Sequence, residues 1–300
     1  MRKAISKHID QVMQEDEDII VLLGDLGFGI FDTLRLKYPE RIINCGIAEQ
    51  NMIGVASGLA LGGKKPVVYS IAPFVTSRVL EQIKIDLCQQ NVNVTIIGTG
   101  AGFAYGNLGP THHCLEDFAS LTCLPNLHFL QPFDQNSSVE CLKKALRNDG
   151  PSYIRLTADG VDLSSFISER REITKDVLIL ATGGIAKDCV DVARKIKAEV
   201  RFITELNYIH CEEAAKQKTD FIGQFHQVFT IEESYLRGGF GSSIAELISD
   251  HGLKVKLTRI GVKSKFPRYG GTSDEIREQM GIGKNNIEYS ILDTLGFLEE

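Results

Sequence analysis

One carboxylate, Glu49, stands where it could take part in proton chemistry. It lies in the run Gly46-Ile47-Ala48-Glu49-Gln50-Asn51, directly after a short apolar segment and at the mouth of a helix rich in small residues. A carboxyl group buried at such a place could donate a proton to a ring nitrogen, or share one with it, instead of serving a salt bridge. The simpler alternative is a glutamate favoured at a helix start by the helix dipole.

Two adjacent histidines, His112 and His113, are further candidates for proton transfer. An imidazole titrates near neutral pH, so it can pass protons to and from a substrate hydroxyl or carbonyl. A single histidine is more often structural, and the residue types alone leave both alternatives open.

Glycine-rich turns suggest nucleotide binding at first sight. The run Gly98-Thr99-Gly100-Ala101-Gly102 follows a predicted strand, but a dinucleotide site needs another glycine where Phe103 stands. Gly183-Gly184 and Gly238–Gly241 also follow strands and fit turns that enter helices. We therefore interpret these glycines as structural.

The composition is that of a soluble globular protein, with 43% hydrophobic and 24% charged residues in a chain of 300. This length can hold two α/β domains, each with its own core. The net charge of -6 argues against a nucleic acid or a membrane surface as partner. No apolar run approaches the ~20 residues that span a bilayer, and no signal peptide is evident. The seven cysteines include no Cys-x-x-Cys pair, so we expect a reduced, cytoplasmic setting.

Short apolar runs alternate with longer segments of helical spacing, which is the pattern of doubly wound α/β sheets. The predicted strands are Ile19–Leu23, Pro66–Tyr69, Val92–Ile97, His128–Leu130, Tyr153–Leu156, Val177–Ala181, Val200–Ile203, Val228–Ile231 and Val255–Ile260. Helices are predicted at the N-terminus and over Ser77–Cys88 and Asn136–Arg147. We predict an α/β protein of two doubly wound, mostly parallel domains, 1–160 and 176–300, joined by a polar linker, 161–175.

Four segments occur in a specific order and spacing. They are Cys45–Met52 with the helix that follows it, Tyr69–Arg78, Gly109–His113, and Leu124–Leu127 leading into Pro132–Asp134. Together they resemble the pyrimidine-binding domain of the transketolase family. The rest of the chain, including Thr230–Glu233 and Gly238–Gly241, resembles the C-terminal domain of the same family. The resemblance covers essentially the whole chain.

The resemblance implies that the cofactor is thiamine diphosphate. Glu49 would bond to the far nitrogen of the pyrimidine ring and promote the imino tautomer, through which the cofactor activates its own thiazolium carbon. Burial would keep the Glu49 carboxyl able to share that proton. Phe74 would stack on the pyrimidine, a geometry that aromatic pairs favour. Ile71 would be a second apolar wall, and Arg78 belongs to the same cofactor-binding segment.

On the substrate side, the resemblance places His112 as a catalytic group that reaches the substrate, with His113 as the second candidate. The chain also departs from the family. Leu108 stands where the family has an aspartate that contacts the donor hydroxyl, and Gly100 where it has a phosphate-binding histidine. Ala158 replaces a phosphate-binding arginine. Since each charge-assisted bond contributes ~1.5–3 kcal/mol, we expect a two-carbon transfer that does not use an ordinary sugar phosphate.

Nothing in the chain resembles the diphosphate- and metal-binding domain that precedes such sequences in a full transketolase. Gly24-Asp25-Leu26 with Asn51 is an incomplete form of the metal motif and is interpreted as a structural loop. We therefore predict a split enzyme, in which the diphosphate and its Mg²⁺ or Ca²⁺ are held by a separate N-terminal-half subunit. The helix Gly54–Gly62 has glycine at every fourth position, and in the family it lies near a subunit interface. We expect this chain to dimerise there, within a heterotetramer.

Three alternatives remain open. The chain could be the β-type subunit of a 2-oxoacid dehydrogenase, which has the same two domains and a matching glutamate. It could resemble deoxyxylulose-phosphate synthase and use a pyruvate-type donor, since Leu108 removes a hydroxyl contact. It could also be a non-catalytic pairing subunit, which the presence of Glu49, Phe74 and His112 together argues against.

Overall fold

The structure is a computed structural model that describes residues 1–157, 161–169, 172–173, 176–206, 212–268 and 270–297. Within these residues the chain forms two fully parallel sheets, of six and four strands. The strands are β1 (Ile19–Leu23), β2 (Ile42–Asn44), β3 (Lys65–Ile71), β4 (Thr95–Thr99), β5 (His128–Leu130), β6 (Ser152–Leu156), β7 (Val177–Ala181), β8 (Glu199–Phe202), β9 (Gln227–Tyr235) and β10 (Lys256–Val262). The strand orders are β2-β1-β3-β4-β6-β5 and β10-β9-β7-β8.

Helices connect most of the strands. The α-helices are α1 (Arg2–Glu15), α2 (Asp32–Lys37), α3 (Glu49–Leu61), α4 (Leu80–Gln82), α5 (Asp117–Leu121), α6 (Gln135–Arg147), α7 (Ser164–Ser168), α8 (Val190–Lys195), α9 (Glu212–Ile222), α10 (Phe240–Asp250), α11 (Ser273–Met280) and α12 (Lys284–Thr294). Short 3₁₀ turns cover Ala72–Phe74, Ser77–Val79, Gly106–Leu108 and Gly184–Cys189, and a π-helix covers Ile83–Cys88. No helix of the described ranges is long and apolar enough to cross a membrane.

The central strands are apolar on both faces because helices cover both. Along β1, Val21 and Leu23 pack with α1 and α6, whereas Ile20 and Leu22 pack with α3 on the opposite face. This doubly covered arrangement explains the continuous apolar runs in the sequence. The predicted fold class, two mostly parallel α/β domains, is confirmed.

Three local predictions were wrong in detail. The segment Ser77–Cys88 is a series of 3₁₀, α and π turns instead of one helix. The strand predicted from Val92 begins at Thr95, after Asn91 adopts a positive φ of 49°. β2 was missed because three residues are too few to show a strand pattern.

The segment 161–169, predicted as part of a polar linker, contains α7. Phe166 of that helix is 2% exposed and packs in the core of the second domain. This segment is therefore packed against the second domain through an apolar side chain.

The ends of β3 and β4 lie level, since Ile71 pairs with Thr99 in the parallel ladder. The segments that follow these two strands therefore leave the same edge of the sheet, side by side. After β4, the backbones of Gly102 and Cys114 exchange two hydrogen bonds of 2.8 and 3.0 Å. This bridge closes the base of a loop, residues 102–114, which we call the Thr-His loop. Such an edge of an open α/β sheet is where ligands are usually bound.

Candidate active site

Glu49 is the first residue of α3 and is almost fully buried. Gly46 turns the chain toward the helix with a φ of 70°. The Glu49 side chain is 3% exposed, and its Oε2 accepts a hydrogen bond of 3.0 Å from Arg78 Nη1. Within the described residues, Arg78 is its one hydrogen-bond partner, so Oε1 has no donor. Burial of Glu49 was predicted from the sequence, but its pairing with the Arg78 cation was not.

Arg78 begins a row of flat side chains along the sheet edge. Its guanidinium carbon lies 4.0 Å from the centroid of the Phe74 ring, a cation–π contact. Phe74 in turn meets the ring of His112 edge-on at 5.3 Å. His112 Nδ1 lies 2.9 Å from Thr111 Oγ1. The chain therefore brings together Glu49, Arg78, Phe74 and His112 from three segments that are far apart in sequence.

Ile71 is half-buried at the last position of β3, and its carbonyl accepts a 3.2 Å bond from Val75. It therefore anchors the turn that carries Phe74. His113 points away from the row into the interior. Its Nε2 lies 3.3 Å from the carbonyl oxygen of Gly106, its ring meets Phe103 at 5.2 Å, and burial lowers the pKa of His113.

Three positions carry a residue that differs from the one expected in the transketolase family, and the structure describes two of them. Leu108 is 50% exposed on the Thr-His loop. Gly100 has a φ of 74°, and a Cβ atom there would lie 2.0 Å from Cε2 of Tyr105, so an aromatic ring fills the space of a side chain. Ala158 lies outside the described residues.

The second domain holds the Thr-His loop through buried charges. Glu233 Oε1 accepts bonds of 3.0 Å from the amide of Phe103 and from Arg277 Nε, while Arg277 Nη2 reaches Glu233 Oε2 at 2.8 Å. Ser273 Oγ donates to the Phe103 carbonyl at 2.8 Å. Gly102 is in van der Waals contact with the Glu233 side chain, since a Cβ there would lie 2.6 Å from Glu233 Cδ.

A second buried ion pair supports the base of the loop. Arg155 Nε donates to Asp117 Oδ2 at 2.7 Å, and its Nη2 donates to the carbonyls of Cys114 and Glu233 at 2.8 and 3.1 Å. Desolvation opposes the charge on Arg155, but the Asp117 carboxylate outweighs it and raises the pKa of Arg155. The loop thus rests on two ion pairs, one in each domain, which are joined by the bond from Arg155 to the Glu233 carbonyl.

Sequence reasoning missed Tyr105, Arg155, Glu233 and Arg277. One signal was available for Glu233, because Glu232-Glu233 directly follows the predicted buried strand Val228–Ile231, and a buried charge requires a partner. The partner Arg277 lies 44 residues away, and no pattern in the sequence indicates that separation.

Gly24-Asp25-Leu26 lies in the loop that follows β1. The side chain of Asn44 donates to Asp25 Oδ1 at 3.0 Å and accepts from the Asp25 amide at 3.0 Å. Asp25 is therefore held by Asn44. Across the described residues, no group of three or more His, Cys, Asp or Glu side chains is placed to hold a metal ion.

The chain thus folds as two α/β domains, with the buried Glu49 at one edge of the larger sheet. Comparison with known proteins identifies the family that has this arrangement. The model of the transketolase pyrimidine binding domain matches residues 1–161, and that of the transketolase C-terminal domain matches residues 167–287. The chain therefore belongs to the transketolase family, as its motifs predicted. This is a family of thiamine diphosphate-dependent enzymes.

Similar proteins include one of the subunits of an apulose-4-phosphate transketolase from Actinobacillus succinogenes, which is 33% identical over 84% of both chains. A putative transketolase C-terminal section from Methanocaldococcus jannaschii is 30% identical over 98% of this chain and 96% of that protein. A 1-deoxy-D-xylulose-5-phosphate synthase from Carboxydothermus hydrogenoformans is 29% identical, and the match spans 49% of its length. Among solved structures, a split-gene transketolase in an inactive β4 tetramer has a TM-score of 0.85 and 29% identity, with 98% of each chain covered.

Proposed function

We propose that this chain is the second subunit of a split, thiamine diphosphate-dependent enzyme that transfers a two-carbon unit to a carbonyl acceptor. The observation that carries the proposal is the buried Glu49 carboxylate, whose Oε1 has no donor in the described part of the chain. Phe74 and His112 lie in the adjoining row. A buried acid with spare hydrogen-bonding capacity, beside an aromatic ring, suits a polar ring nitrogen.

The residues present fit the pyrimidine half of thiamine diphosphate. When bound, the cofactor supplies an acidic ring carbon and an electron sink for the transferred group. Glu49 would share a proton with a pyrimidine nitrogen through its Oε1, while Arg78 bonds to Oε2. Phe74 would face the ring, with Ile71 behind it. His112, fixed through Nδ1 by Thr111, would move a proton at Nε2 to or from the substrate.

A separate partner subunit would supply the rest of the cofactor site. We propose that the diphosphate and its Mg²⁺ or Ca²⁺ are held by an N-terminal-half subunit, and that two copies of each chain form a heterotetramer. Support comes from relatives that are themselves named as a transketolase subunit or as a C-terminal section. The domain boundary belongs to the same proposal, with the first domain ending at 160 and the linker covering 161–175, because the last strand of the large sheet ends at Leu156 and β7 begins at Val177.

The substrate is proposed to differ from common sugar phosphates. Leu108 supplies no polar group, and Gly100 is covered by Tyr105. One relative is named for apulose 4-phosphate, a less common sugar that still carries a phosphate group, so its name supports an unusual sugar but not an unphosphorylated one. The second candidate function is a synthase with a pyruvate-type donor, which the half-exposed apolar Leu108 favours because such a donor has fewer hydroxyl groups to bind. Turnover of hydroxypyruvate against pyruvate separates the two.

Calorimetry with thiamine diphosphate and Mg²⁺ tests the split site. We expect binding by the complex of both subunits and none of comparable strength by this chain alone. Tight, metal-dependent binding by this chain alone would refute the division of the site. Within the complex, Glu49→Gln should lower kcat by at least about 100-fold while the subunits still assemble. The exposed Glu81→Gln variant is the control, and equal activity of both variants would favour a non-catalytic pairing subunit.

A further inference from the structure

The ring of Tyr105 can lie where it does because residue 100 is a glycine and has no side chain. The ring lies over Gly100, where a Cβ atom would stand 2.0 Å from Cε2 and 2.2 Å from Cδ2 of the ring. Gly100 also has a φ of 74°, which side-chain-bearing residues rarely adopt. The two residues are therefore coupled, because any side chain at position 100 would displace the ring.

The Tyr105 ring borders the same space as His112. The two rings are perpendicular, with centroids 6.5 Å apart, and Phe74 approaches His112 at 5.3 Å. His112 thus stands between two aromatic rings. Tyr105 is only partly buried, and its hydroxyl has no hydrogen-bond partner within the described ranges. It therefore offers a flat apolar face and one uncommitted polar group beside the proposed proton-transfer residue.

This surface carries no charge of its own. From Thr99 to His113, the chain contains no Lys, Arg, Asp or Glu. The guanidinium groups packed beneath the loop are already engaged. Arg277 binds Glu233 and Asp274, and Arg155 binds Asp117 and two carbonyls. A phosphate placed against Tyr105 would lose water and gain no bond from a Lys or Arg of this loop, which is unfavourable.

We propose that Tyr105 is a specificity-determining residue, whose ring and hydroxyl select carbonyl substrates with an uncharged polyol end. The inference rests on the proposed two-carbon transfer and specifies its substrate class. The C–H face of a polyol packs on an aromatic ring, and its hydroxyl groups bond to the phenol. Gly100 contributes by leaving room for that ring.

Acceptor preference in the complex of both subunits tests this role. With hydroxypyruvate as donor, kcat/KM is measured for erythrose against erythrose 4-phosphate and for glyceraldehyde against glyceraldehyde 3-phosphate. The wild-type complex should prefer the unphosphorylated member of each pair. Tyr105→Ala should raise KM for the unphosphorylated acceptors about tenfold. Tyr105→Phe separates the ring from the hydroxyl, and Tyr289→Ala, at an exposed position in the second domain, is the control.

The coupling to Gly100 gives a second readout. Gly100→Ala should reproduce the KM increase of Tyr105→Ala, because its Cβ displaces the ring. The double variant should be no worse than either single variant, since both changes remove the same contact. Additive losses would mean that Gly100 acts by another route and would overturn the coupling.

The outcomes separate this inference from the proposed function. Unchanged KM values in Tyr105→Ala, or a wild-type preference for phosphorylated acceptors, would overturn the role of Tyr105 and leave two-carbon transfer intact. Consumption of hydroxypyruvate without transfer to any aldose would overturn the substrate class alone. A complex that does not consume hydroxypyruvate would overturn the proposed function and this inference together.

Discussion

At the scale of single residues, the Glu49–Arg78 pair shows what position in the sequence does and does not reveal. Glu49 was predicted from its place at a helix start, and the structure buries it there. Its ion-pair partner Arg78 comes from a different segment, 29 residues later, and meets Glu49 only because α3 packs beside the turn after β3. The sequence therefore predicted the acid at Glu49, whereas its contact with the Arg78 cation follows from the tertiary packing.

Removing Arg78 should destabilise the chain modestly. Arg78→Met leaves a buried carboxylate without its cation, which costs stability. Because the Arg78 side chain is 44% exposed, solvent screens part of the loss, and we expect the free energy of unfolding to fall by about 1 kcal/mol. Urea denaturation of the isolated chain measures this. The control is Lys84→Met, at an exposed position of the same segment. The double variant Glu49→Gln with Arg78→Met should regain most of the lost free energy of unfolding. If the effects of the two substitutions simply add, the two side chains do not interact.

Glu232 gives a pH-dependent prediction. Burial raises its pKa from 4.5 to about 7, against the lowering effect of the Ser234 hydroxyl and the amides of Gly241 and Phe240. The folded chain therefore keeps a proton that the unfolded chain releases between these pH values. This stabilisation is complete below pH 4.5 and is lost as the pH rises through about 7, an amplitude of about 3 kcal/mol.

The Glu232→Gln variant removes the titrating group. Its one amide oxygen can accept from only one of the two amides, which lowers its stability by an amount that does not depend on pH. We expect the stability of the wild-type chain to decline relative to the variant between pH 5 and pH 8. Urea denaturation at a series of pH values gives the difference. A constant difference across that range would mean that Glu232 is ionised in the folded chain throughout.

At the scale of elements, the strands were predicted well and the loops were not. Strands such as β1 and β7 are buried on both faces, so their apolar runs identify them directly. The Thr-His loop has no such pattern, because the second domain determines its shape. Glu233 and Ser273 hold its backbone at Phe103. The histidines could be predicted from the local motif, whereas the support beneath them depends on contacts between domains.

Breaking the Glu233–Arg277 pair should be costly. Arg277→Met leaves Glu233 buried and unpaired, so we expect a loss of about 3–5 kcal/mol in the free energy of unfolding. The double variant Glu233→Gln with Arg277→Met removes the stranded charge and should regain part of that loss. Arg194→Met, which breaks an exposed pair with Glu169, should cost about 1 kcal/mol or less. Equal losses for Arg277→Met and Arg194→Met would contradict the structural role of the buried pair.

At the scale of the whole molecule, one face of the first domain has no covering element among the residues that the structure describes. Ile47, Val55 and Leu61 are 80%, 37% and 66% exposed, and no atom lies within 4 Å of a Cβ built at Gly54 or Gly58. We call these five residues the α3 patch. Apolar side chains beside open glycines suit close contact with another chain. A second copy of this chain is the occupant we propose, since the glycines of α3 leave room for the close approach of another backbone.

Leu61→Glu tests that assignment in the isolated chain. A charge buried in a copy-to-copy contact without a partner costs several kcal/mol, enough to shift a dimer to monomers at micromolar concentration. Sedimentation velocity should therefore show self-association of the wild-type chain that the variant loses. Phe266→Glu, at a position of similar exposure in the second domain, should leave it unchanged. If the wild-type chain is monomeric alone and Leu61→Glu instead blocks association with the diphosphate-binding subunit, the α3 patch contacts that subunit. If Leu61→Glu affects neither association, the patch is not an interface.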